Sequence, residues 1–199
     1  MIYLSGKSVE HPDIGLMMSF NVGRQVIGKN KIWAADNGCF ARPDLYCDDK
    51  YLTWLDKFPS ESCLFATAPD VVGDCQKTLE RSLPLLPKIR DAGYKPAFIA
   101  QDGATKDLPW EEFDCLFIGG TTHWKLSQSA GDLIAEARKR KKWAHVGRVN
   151  SYKRLRLVNI LGADSTDGTF LCFAPDKNLK RLLSWLENLK SQPCLNLQN

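Results

Sequence analysis

Short apolar runs recur along the chain, each ended by a polar or glycine-containing turn. They are Ile2 to Leu4, Ile14 to Ser19, Ile32 to Ala35, Cys63 to Thr67, Pro96 to Ala100, Cys115 to Ile118 and Trp143 to Val146, with an eighth strand expected from about Ala163. Runs of this kind suit strands buried on both faces, although length alone does not separate the first two from helix. Between the later runs the apolar spacing changes to that of a helix. Tyr51, Leu52, Leu55 and Phe58 predict a helix over Asp48 to Phe58, and Cys75 to Ala92 predicts a long one that Pro84 and Pro87 should kink or interrupt. A short acidic helix is expected near Trp110 to Phe113. Leu126, Leu133, Ile134 and Ala137 mark a helix over Lys125 to Lys142, and Tyr152, Leu155, Val158 and Leu161 mark another that Gly162 ends. Leu179, Leu182, Leu183, Leu186 and Leu189 belong to a last helix, Asp176 to Ser191.

Eight strands alternating in this way predict an α/β fold, a compact (β/α)8 TIM-like barrel. Its helices should be short or missing in the first half, where Val22 to Asn30 is expected as loop. One domain over 1–199 is expected, with a loose tail from about 193 and no zinc-binding subdomain. The runner-up is an open doubly wound sheet, but no GxGxxG or Walker motif supplies its usual phosphate site.

Composition narrows the classes. With 44% hydrophobic residues in 199, the chain can bury one good core. Seven cysteines, an odd number without a CxxC pair, predict a reduced cytoplasmic protein with neither a disulfide scaffold nor a metal site. The first residues lack a signal-peptide core, and no apolar run approaches membrane-spanning length. The net charge of +4 is uneven, with Arg138-Lys139-Arg140-Lys141-Lys142 followed by Arg148, Lys153, Arg154 and Arg156. Such a run is either a solvated helix end or a set of phosphate contacts beside an active edge.

Polar residues gather just after the strands. Asp36 follows the third run, Asp70 the fourth, Gln101 the fifth, Gly119-Gly120 the sixth, and Asp167 closes the eighth. Of the pair Asp70 and Asp74, the second should cap a helix and the first should stay exposed. On a barrel all five positions face one mouth, where chemistry is built. Carboxylates, an amide and a Gly-Gly turn suit the N–H and C=O edge of a purine-like ring, with one acid left for nucleophilic attack.

The segments ADNGCF (35–40), FATAPD (65–70), AFIAQDGA (97–104), FIGGTTHW (117–124) and HVGRVNS through GADSTDGT (145–169) are similar in order and spacing to those of tRNA-guanine transglycosylases. In length and wording the chain more closely resembles the small DpdA-like relatives that place 7-deazaguanine bases in DNA. The resemblance spans about Trp33 to Thr169. It implies that Asp36 contacts the base and shuttles a proton, that Asp70 and Gln101 read the purine edge, and that Gly119 and Gly120 line the pocket. It also implies that Asp167, the second acid of G-x-D-x-x-D, is the nucleophile, with Asp164 as the fallback. His123 and Trp124 have no counterpart; the first is expected in a loop and the second could stack on a base. The family's cysteine-histidine zinc site is missing, which favours DNA over tRNA, and Cys39 occupies the third position of the acid-x-Gly-Gly motif.

The expected activity is therefore exchange of guanine in DNA for a 7-deazaguanine derivative, through a glycosyl-aspartate and without a cofactor. Arg138, Arg140, Lys141, Lys142, Arg148 and Lys153 would hold phosphates, and a homodimer or accessory protein would help to grip DNA. Hydrolytic removal of a modified base by the same site is the alternative. A non-catalytic nucleic-acid-binding module is the third reading.

Overall fold

The computed structural model describes residues 1–23, 26–28 and 31–191; the tail expected from 193, and part of the loop expected between Val22 and Asn30, lie outside them. Eight parallel strands, β1 (Ile2–Ser5), β2 (Ile14–Ser19), β3 (Trp33–Asp36), β4 (Cys63–Thr67), β5 (Pro96–Ala100), β6 (Cys115–Ile118), β7 (Trp143–Val146) and β8 (Ser165–Gly168), pair in sequence order. Strand β8 returns to β1 with Leu4 opposite Asp167, and the sheet closes into a barrel. The predicted α/β barrel is thus the fold. β3 and β8 begin at Trp33 and Ser165 rather than at Ile32 and Ala163.

Strand alternation sorts the side chains into two cores. Leu4, Ala34, Phe65, Ala97 and Cys115 fill the barrel interior. Tyr3, Trp33, Ala66, Phe98, Leu116 and Val146 belong to the second cluster, between the strands and the helices. Strands such as β5 and β6 are therefore apolar on both faces, which is why they read as continuous runs. Full burial of a side chain such as Phe65 stabilises by roughly 1.5–3 kcal/mol.

The helices are α1 (Asp48–Leu55), α2 (Cys75–Ser82), α3 (Leu86–Asp91), α4 (Thr122–Lys125), α5 (Gln128–Lys139), α6 (Tyr152–Ile160) and α7 (Pro175–Lys190). The long helix expected over Cys75 to Ala92 is two helices, because Pro84 follows the end of α2 and Pro87 opens α3. Asp74 caps α2 as expected, accepting from Lys77 N at 3.0 Å. The helix expected over Lys125 to Lys142 also divides, since the Ser127 hydroxyl caps a new start at Gln128. Among the described residues no helix separates β1 from β2 or β2 from β3, and only a 3-10 turn, Trp110–Glu112, lies between β5 and β6. None of the described helices is long and apolar enough to cross a membrane.

Candidate active site

The last interior positions of β2, β3 and β8 are polar: Ser19, Asp36 and Asp167. Ser19 ends β2 opposite Asp36 of β3, and its hydroxyl donates to Asp36 Oδ2 at 2.9 Å. Burial pushes the Asp36 carboxyl up to about 6; the Ser19 hydrogen bond opposes the shift, and the charges of Asp167 and Asp70 reinforce it. Asp36 ends β3, Asp70 follows β4 and Asp167 lies in β8, so all three stand at the carboxyl ends of strands of one closed barrel.

The turn after β3 ties this acid to the next. Asn37 is buried; its amide donates to Thr67 Oγ1 at 3.0 Å and to Ala68 O at 2.7 Å, and lies 3.4 Å from Asp70 Oδ1. Its carbonyl accepts from Cys39 N at 2.6 Å. Gly38 has φ +76°, and a Cβ there would meet Phe20 O at 2.6 Å, so the backbone requires glycine at this position. Cys39 is buried and its thiol is pushed up to about 12 by burial, far from the range of a reactive thiolate.

Asp70, expected exposed, is buried at 7% relative exposure. Gln101 Nε2 donates to its Oδ2 at 2.7 Å. Burial raises the Asp70 pKa despite the Asn37 hydrogen bond and the charges of Arg81 and Arg148. Gln101 Oε1 accepts from Gly73 N and Gly120 N, each at 2.9 Å. Its amide is therefore held by the protein, with one Nε2 hydrogen on Asp70. The N–H groups of Gly119 and Gly120 are likewise engaged within the protein. Gly119 N donates to Ala100 O, and Gly120 N to Gln101 Oε1, each at 2.9 Å. A Cβ on Gly120 would lie 2.5 Å from Asp102 Oδ2 and 2.8 Å from the Trp124 ring, so packing requires the glycine. Trp124 is half-buried against it, and His123 is exposed.

Asp167 stands on the interior face of β8, its side chain 19% exposed. Its Oδ1 accepts from Arg148 N at 3.2 Å and lies 3.0 Å from His145 Nε2. The fallback acid is elsewhere. Asp164 precedes β8, where its Oδ2 accepts from Ala144 N at 2.8 Å. Three residues of strand, about 10 Å, separate it from the mouth.

The basic residues divide between the two ends of the barrel. Arg148 has φ +59°, its guanidinium lies 4.5 Å from the centre of the Phe40 ring, and Nη2 donates to Gly120 O at 2.6 Å. Lys153 is exposed in the first turn of α6, at the same end. Arg138, Arg140, Lys141 and Lys142 lie at the opposite end, where α5 hands the chain to the start of β7. There Arg138 donates to Gly162 O, Arg140 pairs with Glu136 at 2.7 Å, and Lys142 donates to Phe113 O. They do not flank the mouth, which corrects their expected position.

Two residues outside the sequence reading complete the site. His145 is the interior-facing polar residue of an otherwise apolar strand, and that break in pattern was its signal. Lys125 is buried, donates to Gly147 O at 2.8 Å, and is lowered to about 8 by burial and then by the charge of Arg148. It supports the turn that carries Arg148, and nothing in its sequence neighbourhood marks it.

No family model matches the chain, and no curated protein matches it. Among solved structures, it is similar to tryptophan synthase from M. tuberculosis in its open form with BRD0059 bound. The identity is 14%, the TM-score 0.45, and the match covers 79% of this chain and 59% of that chain. The chain thus spans about three-fifths of the length of that protein chain.

The described residues include no group of three or more His, Cys, Asp or Glu side chains able to hold a metal ion. What the mouth offers is a pair of acids in unlike surroundings. Asp36 is desolvated and holds a proton more readily than a free carboxyl, whereas Asp167 accepts from a backbone N–H. Such a pair can divide acid and nucleophile roles between its members.

Proposed function

We propose that the protein exchanges a guanine base in DNA for a 7-deazaguanine derivative. The observation that supports it most is that Asp36, Asp70 and Asp167, far apart in sequence, stand at the carboxyl ends of strands of one barrel, with Asn37 beside Asp36 reaching within 3.4 Å of Asp70. A flipped nucleotide enters the mouth. Asp167 attacks C1′ of the sugar; the C1′–N9 bond breaks, and its electron pair leaves with guanine as Asp36 supplies the proton. The incoming deazaguanine gives a proton back to Asp36 and attacks C1′, and the carboxylate of Asp167 leaves. Asp70, aimed by Gln101 and Asn37, accepts from the N–H groups of the base edge.

Incubation of guanine-containing DNA with labelled guanine or a deazaguanine tests this. Label entering the strand is the expected result. Abasic sites without incorporation would assign hydrolysis to the same site, and intact, unlabelled DNA would contradict both.

A further inference from the structure

Behind Asp167 runs a line of polar side chains through the barrel interior. Trp143 Nε1 donates to Ser165 Oγ at 2.8 Å, Ser165 Oγ lies 2.8 Å from His145 Nδ1, and His145 Nε2 lies 3.0 Å from Asp167 Oδ1. The direction of these bonds follows from the two ends. An indole N–H only donates, so it takes a lone pair of the serine. The serine hydrogen is then free for Nδ1, and an imidazole whose Nδ1 accepts carries its proton on Nε2, pointing at Asp167. The other tautomer would set the Nε2 lone pair against a carboxylate oxygen.

The surroundings keep the ring neutral. His145 is wholly buried, with ring centres 5.0 Å from Phe65 and 4.4 Å from Phe117. Burial lowers its pKa most; Asp167 opposes this, and the charge of Lys125 adds to it.

We propose that His145 is a positioning residue, held by Ser165 and Trp143 as the neutral Nε2–H tautomer, that fixes one oxygen of Asp167 and leaves the other to meet the sugar. With Oδ1 held by His145 and by Arg148 N–H, the carboxylate cannot turn freely, and Oδ2 takes no hydrogen bond from the described residues. When the glycosyl bond forms at Oδ2, Oδ1 becomes the ester carbonyl and still accepts from Nε2–H. No proton moves along the line. Outer partners that orient the ligands of metal sites change affinity or activity by about 10–100-fold, and an effect on that scale is expected for this orienting bond. Only the role of Oδ2 rests on base exchange; the held tautomer stands independently of it.

The test has two arms. In the first, nitrogen NMR of protein labelled at histidine is recorded from about pH 5 to 8, the His145 signals being assigned with His145→Gln. The expected spectrum shows Nε2 protonated and Nδ1 bare throughout. An Nδ1–H tautomer, or a ring that charges within this range, overturns the proposal whatever the activity. In the second arm, covalent adduct formation with guanine-containing DNA is timed for His145→Leu and His145→Gln, the glutamine amide being able to donate from near the Nε2 position. His145→Leu should slow the step about 10–100-fold with KM unchanged, and His145→Gln should restore most of it. Equal loss in both variants overturns positioning. If wild-type protein shows the expected tautomer yet forms no adduct, base exchange fails while the held carboxylate stands.

Discussion

Gln101 and Asp70 are joined across adjacent strand ends, Nε2 donating to Oδ2 at 2.7 Å while the carbonyl of the same amide accepts from Gly73 and Gly120. The amide thus locks three loops to one carboxylate. Gln101→Glu keeps the acceptor side and replaces the donor with a second charge against Asp70. The native pair would then share a proton that the unfolded chain does not hold at neutral pH. Stability should fall by about 2–4 kcal/mol at pH 8, and the deficit should shrink as pH is lowered to about 5. Urea unfolding at the two pH values measures it.

Asp36 has its pKa raised from 3.8 to about 6 in the folded protein. Between those values the native state binds more protons than the unfolded one, so stability falls as pH rises through that window and stays low above it. Asp36→Asn should therefore stabilise by roughly 1–3 kcal/mol at pH 8, with the gain vanishing near pH 4. The same variant should lose base exchange. In wild-type protein, the first step should weaken as pH rises through about 6. Thermal unfolding and single-turnover rates against pH check both.

Gly120 has φ +66° and no room for a Cβ beside Asp102 and Trp124. Gly120→Ala should cost about 1–3 kcal/mol and displace the amide that holds Gln101. A lower Tm together with weaker binding of a free deazaguanine base is the expected pair of results.

Lys153 and Lys141 are both exposed, but they sit at opposite ends of the barrel. If DNA meets the mouth, Lys153→Ala should reduce the slope of log K against log salt by about 0.7 on single-stranded DNA, and Lys141→Ala should leave it unchanged. Salt titrations of binding to single-stranded DNA would show it.

The barrel was legible because its strands are buried on both faces. Ile2, Ile14, Cys63, Pro96, Cys115 and Trp143 each begin a strand where the apolar run begins. Pro84 and Pro87 marked the break between α2 and α3 through the geometry of the proline ring alone. What a side chain does across the mouth was not legible. Gln101 and the Gly-Gly turn are turned inward by contacts between loops remote in sequence. Lys125 looks like a solvated helix residue until α4 ends and buries it. The far position of Lys141 was within reach, since a helix preceding a strand delivers the chain to that strand's amino end.

The most direct measurement is the intact mass of denatured protein after mixing with guanine-containing DNA and a deazaguanine analogue. A DNA-bearing species that maps to Asp167 and disappears in Asp167→Ala is the predicted result. An adduct that persists in Asp167→Ala, or base incorporation by that variant, would contradict it.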